Sequence, residues 1–214
     1  VFGYVFTAAD KDEFLVVDNG SIKKIFGIET VNCGFAVNGI SPTTDEFNEG
    51  WGAYTGIPID QAAVQTGDVI DFFCYQSEYA MDCYTWFTQN GAATRSLTGD
   101  TVLPITFTVN GYWIGYYGCN YKSFDEVLAD TAKIQVMEDA QIALVDMKTG
   151  TVTPIEDAIT DEDGNVSLTI DQAGTYTITA YTEVDEYTMM PALMTLATLT
   201  VTEHVHSYET ESVE

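Results

Sequence analysis

From residue 166 to residue 180 the chain keeps a period of two. Val166, Leu168 and Ile170 are separated by Ser167 and Thr169. After the turn Asp171-Gln172-Ala173-Gly174, Tyr176, Ile178 and Ala180 alternate with Thr175, Thr177 and Thr179. Successive side chains of a strand point to opposite faces. This pattern therefore asks for two half-buried strands, apolar on one face and wetted on the other. The texture continues on both sides. Ile134-Gln135-Val136 alternates, and Ile142 to Val145 and Thr151 to Ile155 flank Lys148-Thr149-Gly150 as a hairpin. Asp161 to Asn165 reads as a polar turn, and Leu193 to Thr202 as a last strand. Short strands at regular spacing with turn signals predict an antiparallel β-sandwich.

Near Lys133 the composition shifts. Beyond it cysteine disappears, aromatics thin out, and Thr and acidic residues rise. The expected organisation is a β-rich, aromatic, cysteine-bearing domain over 1–132, a β-sandwich over 133–203 and a tail or linker over 204–214.

The first part also reads as mainly β. Val1 to Thr7 and Phe14 to Val17 are strand-like, with a turn at Asp18-Asn19-Gly20. Gly34 to Ile40 ends at the tight turn Asn38-Gly39, and Trp51 to Thr55 follows. Pro58 to Val64 predicts a short helical turn. Val69 to Tyr75 and Cys83 to Thr88 are expected to pair. Val102 to Val109 and Tyr112 to Tyr117 are expected to form a hairpin around Asn110-Gly111. Ser123 and Glu126 make a capping box for a short helix whose apolar face is Phe124, Val127 and Leu128.

Charge excludes some partners. The 33 acidic and 7 basic residues give a formal net charge of −26. Binding to nucleic acid phosphates needs clustered Lys and Arg, and this chain repels a polyanion. Anionic lipid surfaces are disfavoured for the same reason. No apolar run is long enough to span a bilayer, since Met189 to Val201 is interrupted by Pro191 and several threonines. The chain begins at Val1 without a Met, which fits a processed exported protein or a fragment of a longer multidomain one.

The four cysteines, Cys33, Cys74, Cys83 and Cys119, fit disulfides in an oxidising compartment, with buried thiols as the alternative. Cys74 and Cys83 flank the polar segment Tyr75 to Asp82, which suggests a bridge across a hairpin. Their spacing matches no common zinc pattern, and both histidines lie at 204 and 206.

The stretch DEDGNVSLTIDQAGTYTITAYT resembles bacterial immunoglobulin-like modules of surface proteins, with Asp163-Gly164, Ala173-Gly174-Thr175-Tyr176 and Ala180 on the shared positions. The segment from Val37-Asn38-Gly39 through Gly50-Trp51 to Gly67-Asp68-Val69-Ile70 resembles transcobalamin C-terminal-like domains of Gram-positive surface proteins. Here V-N-G precedes G-W, the reverse of that family's usual order. The resemblances imply a β-grasp-like α+β domain with short helices, followed by an immunoglobulin-like sandwich. They carry over no cobalamin-contacting residue.

Candidate sites follow from residue chemistry. Exposed rings among Trp51, Tyr112, Trp113, Tyr116 and Tyr117 would stack on sugar rings, because alternation cannot bury every ring of YWIGYYG. Asp161-x-Asp163-Gly164-Asn165 opens like a calcium loop, but Gln172 stands where the closing bidentate Glu belongs, so a solvated turn is expected. His204-x-His206 reads as tail. Carboxylate pairs such as Asp68 with Asp71, or Glu78 with Asp82, arise by chance in so acidic a chain. No nucleophile motif or phosphate loop is present. The expectation is a non-catalytic extracellular module of a bacterial surface or secreted protein, structural or adhesive. It would use no cofactor or metal and would meet an unknown protein or glycan partner. The alternative is a small-ligand or glycan-binding protein using the aromatic surface of the first domain.

Overall fold

The computed structural model describes residues 15–25, 28–29, 33–76, 81–183 and 190–204. The expected strand Val1 to Thr7, Glu78, His206 and the tail beyond 204 lie outside them. The fold is mainly β, with several antiparallel sheets.

Short ribbons come first. β1 (Leu15–Asp18), β2 (Ser21–Ile25) and β3 (Ile28–Glu29) form a meander, with Asn19 and Gly20 at positive φ in its first turn. β4 (Cys33–Val37) ends at the Asn38-Gly39 turn, both residues again at positive φ. β5 (Thr43–Asn48) and β6 (Ala53–Gly56) pair as a hairpin, and β7 (Ile70–Cys74) returns antiparallel to β4.

The body follows, with β8 (Cys83–Gln89), β9 (Ala92–Thr94), β10 (Ser96–Asp100) and β11 (Ile105–Trp113). Two short helices come next, α1 (Ile114–Tyr117) and α2 (Phe124–Ala129). The strands after them are β12 (Gln135–Val136), β13 (Gln141–Asp146), β14 (Thr151–Ile159), β15 (Asn165–Leu168), β16 (Gly174–Tyr181), β17 (Ala192–Leu193) and β18 (Leu196–Thr202).

Two large sheets result. In one, the order is β10-β18-β16-β13-β14, with β10 parallel to β18 and the other neighbours antiparallel. The other is centred on the antiparallel pair β8–β11. β9 and the parallel strand β17 share the outer edge of β8, while β15 and β12 share that of β11. The sheets enclose an apolar core. Phe87, Ile105, Phe107, Val109, Val166 and Leu168 meet Leu97, Ile142, Ile178, Leu199 and Val201 across it.

The second sheet is buried on its other face too. Tyr84, Trp86 and Tyr112 point there, into a cluster with Ala36, Ile114, Tyr121, Val127 and Leu193. The β4–β7 ribbon and α2 cover this face. The helix forms the Ser123 half of its capping box, and Glu126 reaches back to Lys122, one residue before the cap. The Ser123 hydroxyl accepts the Glu126 N–H at 3.3 Å, and the Glu126 carboxylate accepts the Lys122 N–H at 2.7 Å. Its expected apolar face is in place, with Phe124 edge-on to Trp86 at 5.3 Å between centroids.

Four expectations need correction. The sheets run across the boundary expected at 133, because β8, β10 and β11 hydrogen-bond with strands that follow it. β7 pairs with β4, not with β8, and β8 pairs with β11. Asn110 and Gly111 make no turn, for β11 runs straight through them. Gly111 is there for space: a Cβ would lie 2.9 Å from both the Cys83 Cβ and the Met137 Sδ. Of the short helical turn expected over Pro58 to Val64, only a turn closed by Gln61 N–H to Pro58 C=O at 3.0 Å forms, and 62–64 continue without helix.

A fragment limited to residues 133–203 loses β8, β10 and β11, so Ile142, Ile178, Leu199 and Val201 lose most of the sheet that covers them. Each large apolar side chain left in water forfeits about 1.5–3 kcal/mol. Expressed alone, it is predicted to show no cooperative melting by circular dichroism, whereas the full chain melts cooperatively.

Candidate functional site

The most charged point of the interior is built from three strands' worth of sequence. Asp71 lies on β7, Tyr84 on β8, and Arg95, the only arginine in the chain, between β9 and β10. Arg95 grips Asp71 with both terminal nitrogens, at 3.2 Å and 2.5 Å. The Tyr84 hydroxyl donates to Asp71 Oδ2 at 2.6 Å and accepts from Arg95 Nη2. Burial by itself would raise the Asp71 carboxyl, but the hydrogen bonds and charge of Arg95, with the Tyr84 hydroxyl, outweigh it and hold the group below its ordinary value. Burial, then the Asp71 charge, pushes the Tyr84 phenol far up, so it stays a donor. Both Asp71 oxygens, the Tyr84 hydroxyl and both terminal Arg95 nitrogens have partners within the protein, and Asp71 keeps its charge at neutral pH. That makes the cluster a pin between layers and a poor acid–base pair.

Beside it runs an open apolar groove of about 240 Å³, lined by Phe72, Phe73, Met147, Val152, Met194 and Leu196, with Asp71 on its border. Sequence reasoning named Asp71 only as a chance partner of Asp68, and missed Arg95. The available signal was a lone arginine set between two strand-like runs. Asp68 is occupied separately, accepting from Asn38 Nδ2 and from the Gln65 N–H, each at 2.8 Å. Asp82 is fully buried and accepts the Gln76 N–H at 2.6 Å.

The candidate aromatic residues divide. Trp113 and Tyr116 stack at 4.8 Å between centroids with planes 24° apart, and Tyr117 stands edge-on to both. The Lys133 ammonium lies 4.6 Å from the Tyr117 ring centroid. Tyr116 is 62% exposed. Tyr112 does not belong to this surface. It is fully buried, and its hydroxyl donates to the Gly39 carbonyl at 2.8 Å, so its ring is core. Trp51 sits on another element, the turn joining β5 to β6, and is 87% exposed. Phe47 and Tyr54 brace that hairpin edge-to-face at 5.1 Å, and Lys122 lies 4.2 Å over the Tyr54 ring.

The cysteines also depart from expectation. Cys83 is sealed in the core between the sheets, where burial, then the Asp82 charge, pushes its thiol up to about 12. It does not face Cys74. Cys74 lies directly across β4 from Cys33, with the two sulfurs 2.8 Å apart. Cys119 lies in the turn after α1, beside Gly56, and burial raises its thiol.

The Asp161 loop is a hydrogen-bonded turn. Asp161 Oδ1 accepts the N–H groups of Asp163 at 3.0 Å and Asn165 at 2.8 Å, with Gly164 at positive φ. His204 leaves the tail to rest its ring 3.3 Å from Asp100 Oδ2. Among the described residues no group of three His, Cys, Asp or Glu side chains is arranged to hold a metal, and no helix is long and apolar enough to cross a membrane. Comparisons with protein-family models, with curated proteins and with solved structures found no match.

Removing the cation tests the central cluster. Arg95→Ala leaves the Asp71 charge buried beside apolar walls, and is predicted to cost about 3–5 kcal/mol in urea unfolding. The pH dependence should change with it. A carboxylate held below its ordinary value contributes stability that is complete above about pH 4 and is lost as the pH falls through its folded value. In Arg95→Ala burial dominates, so the loss of stability between about pH 5 and pH 3 is predicted to shrink relative to the native chain.

Proposed function

We propose that the chain is a non-catalytic extracellular module of a bacterial surface or secreted protein, with a structural or adhesive role. Its body is an immunoglobulin-like sandwich that begins near Cys83, carrying a smaller β layer on its aromatic face. The observation that carries this reading is the strand order. An immunoglobulin sandwich sets its A, B and E strands against C, F and G. Here β8, β11 and β15 stand in one sheet and β13, β16 and β18 in the other, with β10 parallel to β18 at the edge. Strand order is a fold argument, and the role is proposed from the surface that the fold presents.

Two features of that surface support adhesion outside the cell. The net charge of −26 keeps such a surface soluble and away from nucleic acid. A tryptophan on a hairpin turn is the kind of residue that anchors an interface by filling a partner's pocket. Trp51 is so placed, and neither Trp86 nor Trp113 approaches its exposure. The resemblance to Gram-positive surface modules points the same way.

The test is binding of the full chain to arrays of glycans and of immobilised extracellular proteins. Saturable binding lost in Trp51→Ala is predicted, with unfolding free energy changed by no more than about 0.5 kcal/mol. Substrate turnover by the purified chain would overturn the reading. A second reading, glycan recognition, rests on the stacked pair Trp113–Tyr116, whose open ring suits a sugar face. Binding that survives Trp51→Ala but is lost in Tyr116→Ala selects it.

A further inference from the structure

We propose that Cys33 and Cys74 form a cross-strand disulfide that locks the β4–β7 ribbon, an inference independent of any ligand. Register supplies the geometry. Val37 exchanges both backbone bonds with Ile40, at 2.9 Å and 3.2 Å, so its N–H and C=O face away from β7 and Val37↔Ile70 is a non-hydrogen-bonded pair of the antiparallel ladder, flanked by hydrogen-bonded ones. The two kinds of pair alternate. Counting outward along the register from Val37↔Ile70 to Cys33↔Cys74 places the cysteines in a non-hydrogen-bonded pair. There the Cα atoms approach to about 4.5 Å and the side chains come closest. That separation lies within the range of about 4.4–6.8 Å that a disulfide spans. The two sulfurs already face each other at 2.8 Å.

The ribbon also has a use for the bond. It has only two strands, too few for independent stability. Its turn end is tied by the Asn38 side chain, which donates to Asp68 at 2.8 Å and accepts the Val69 N–H at 2.9 Å. Its middle is tied by Asp71 to Arg95. The open end, where the chain enters at 33 and leaves at 74, is where the cysteines stand. The bond would close a loop between positions 41 apart, and that loop carries the Trp51 hairpin. Of the remaining cysteines, Cys83 is sealed in the core and does not compete.

The oxidant is a disulfide, either a small one such as oxidised glutathione or that of an oxidoreductase. The Cys74 sulfur is exposed, so its thiolate attacks one sulfur of the external disulfide and releases one thiolate. The Cys33 thiolate then displaces the second from the mixed disulfide. One S–S bond forms and one breaks. The protein loses two protons and two electrons, and the external disulfide becomes two thiols.

The experiment uses the full chain, first reduced and then incubated with oxidised glutathione, with non-reducing peptide mapping by mass spectrometry. The expected result is a Cys33–Cys74 cross-linked peptide lighter by two hydrogens. Cys83 and Cys119 should remain alkylatable after denaturation. The melting temperature should rise by roughly 5–10 °C and return on adding dithiothreitol. Cys83→Ser and Cys119→Ser should keep the cross-link, and Cys33→Ser should stop at a glutathione adduct on Cys74. Cys33 joined to any other cysteine, a persistent adduct on Cys74 of the native chain, or both thiols still alkylated after oxidation would overturn the proposal. Because mapping the native chain decides the matter, a variant that fails to fold leaves the test intact.

Discussion

Cys83 and Phe87 of β8 point into the core between the large sheets, while Tyr84 and Trp86 point the other way, into the aromatic cluster beneath the β4–β7 ribbon. Both faces of one strand are therefore withdrawn from water, and the two halves of the molecule are built against the same backbone. Its polar member is provided for as well. Thr85 donates to the Leu193 carbonyl at 2.8 Å, and the Thr195 hydroxyl donates to the Thr85 carbonyl at 2.9 Å. Thr179 extends the chain of contacts by donating to the Thr195 carbonyl at 2.8 Å. A buried hydroxyl without such a partner would cost about 1–3 kcal/mol. These bonds fasten β8 to a segment more than a hundred positions away and to the opposite sheet.

This double burial explains which parts could be read in advance. β18 shows one face to water, so its alternation survives in the sequence as Thr against Ala, Leu and Val, and β16 keeps the same pattern although its Thr179 is buried. β8 shows neither face, and CYTWF offers no contrast from which a register could be drawn. β10 is legible as a strand only through its partner. Its parallel pairing joins Ser96 to Thr198, a separation that local patterning does not encode. The drop in cysteine and aromatics near Lys133 was real, but it marks where the aromatic layer ends, not where a core begins.

The candidate site was legible by residue type and not by direction. YWIGYYG does hold more rings than one face can bury, and Tyr116 is the exposed one. Which ring went inward was set by β11 continuing straight through Gly111, where the dipeptide Asn-Gly suggested a turn. A glycine reports that a Cβ would not fit, and here the reason was the close approach of Cys83 and Met137. The cysteines repeat the lesson. Nearness in sequence suggested Cys74 with Cys83, while ladder register set Cys74 against Cys33.

The β4–β7 ribbon is the part whose attachment is most specific and least apolar. Apart from Ala36 and the partly buried Ile40, Phe73 and Tyr75, it contributes little to the cluster it covers. Its position depends instead on directed contacts: the Asn38 side chain at one end, Asp71 on Arg95 in the middle, and the facing sulfurs at the other end. Directed contacts fail one at a time, and each can be removed without emptying the core. Regions with few buried apolar contacts open at lower free energy than the cores they rest on. The ribbon is therefore the layer whose hold on the molecule a single substitution changes most, and what loosens it also uncovers the aromatic face of β8.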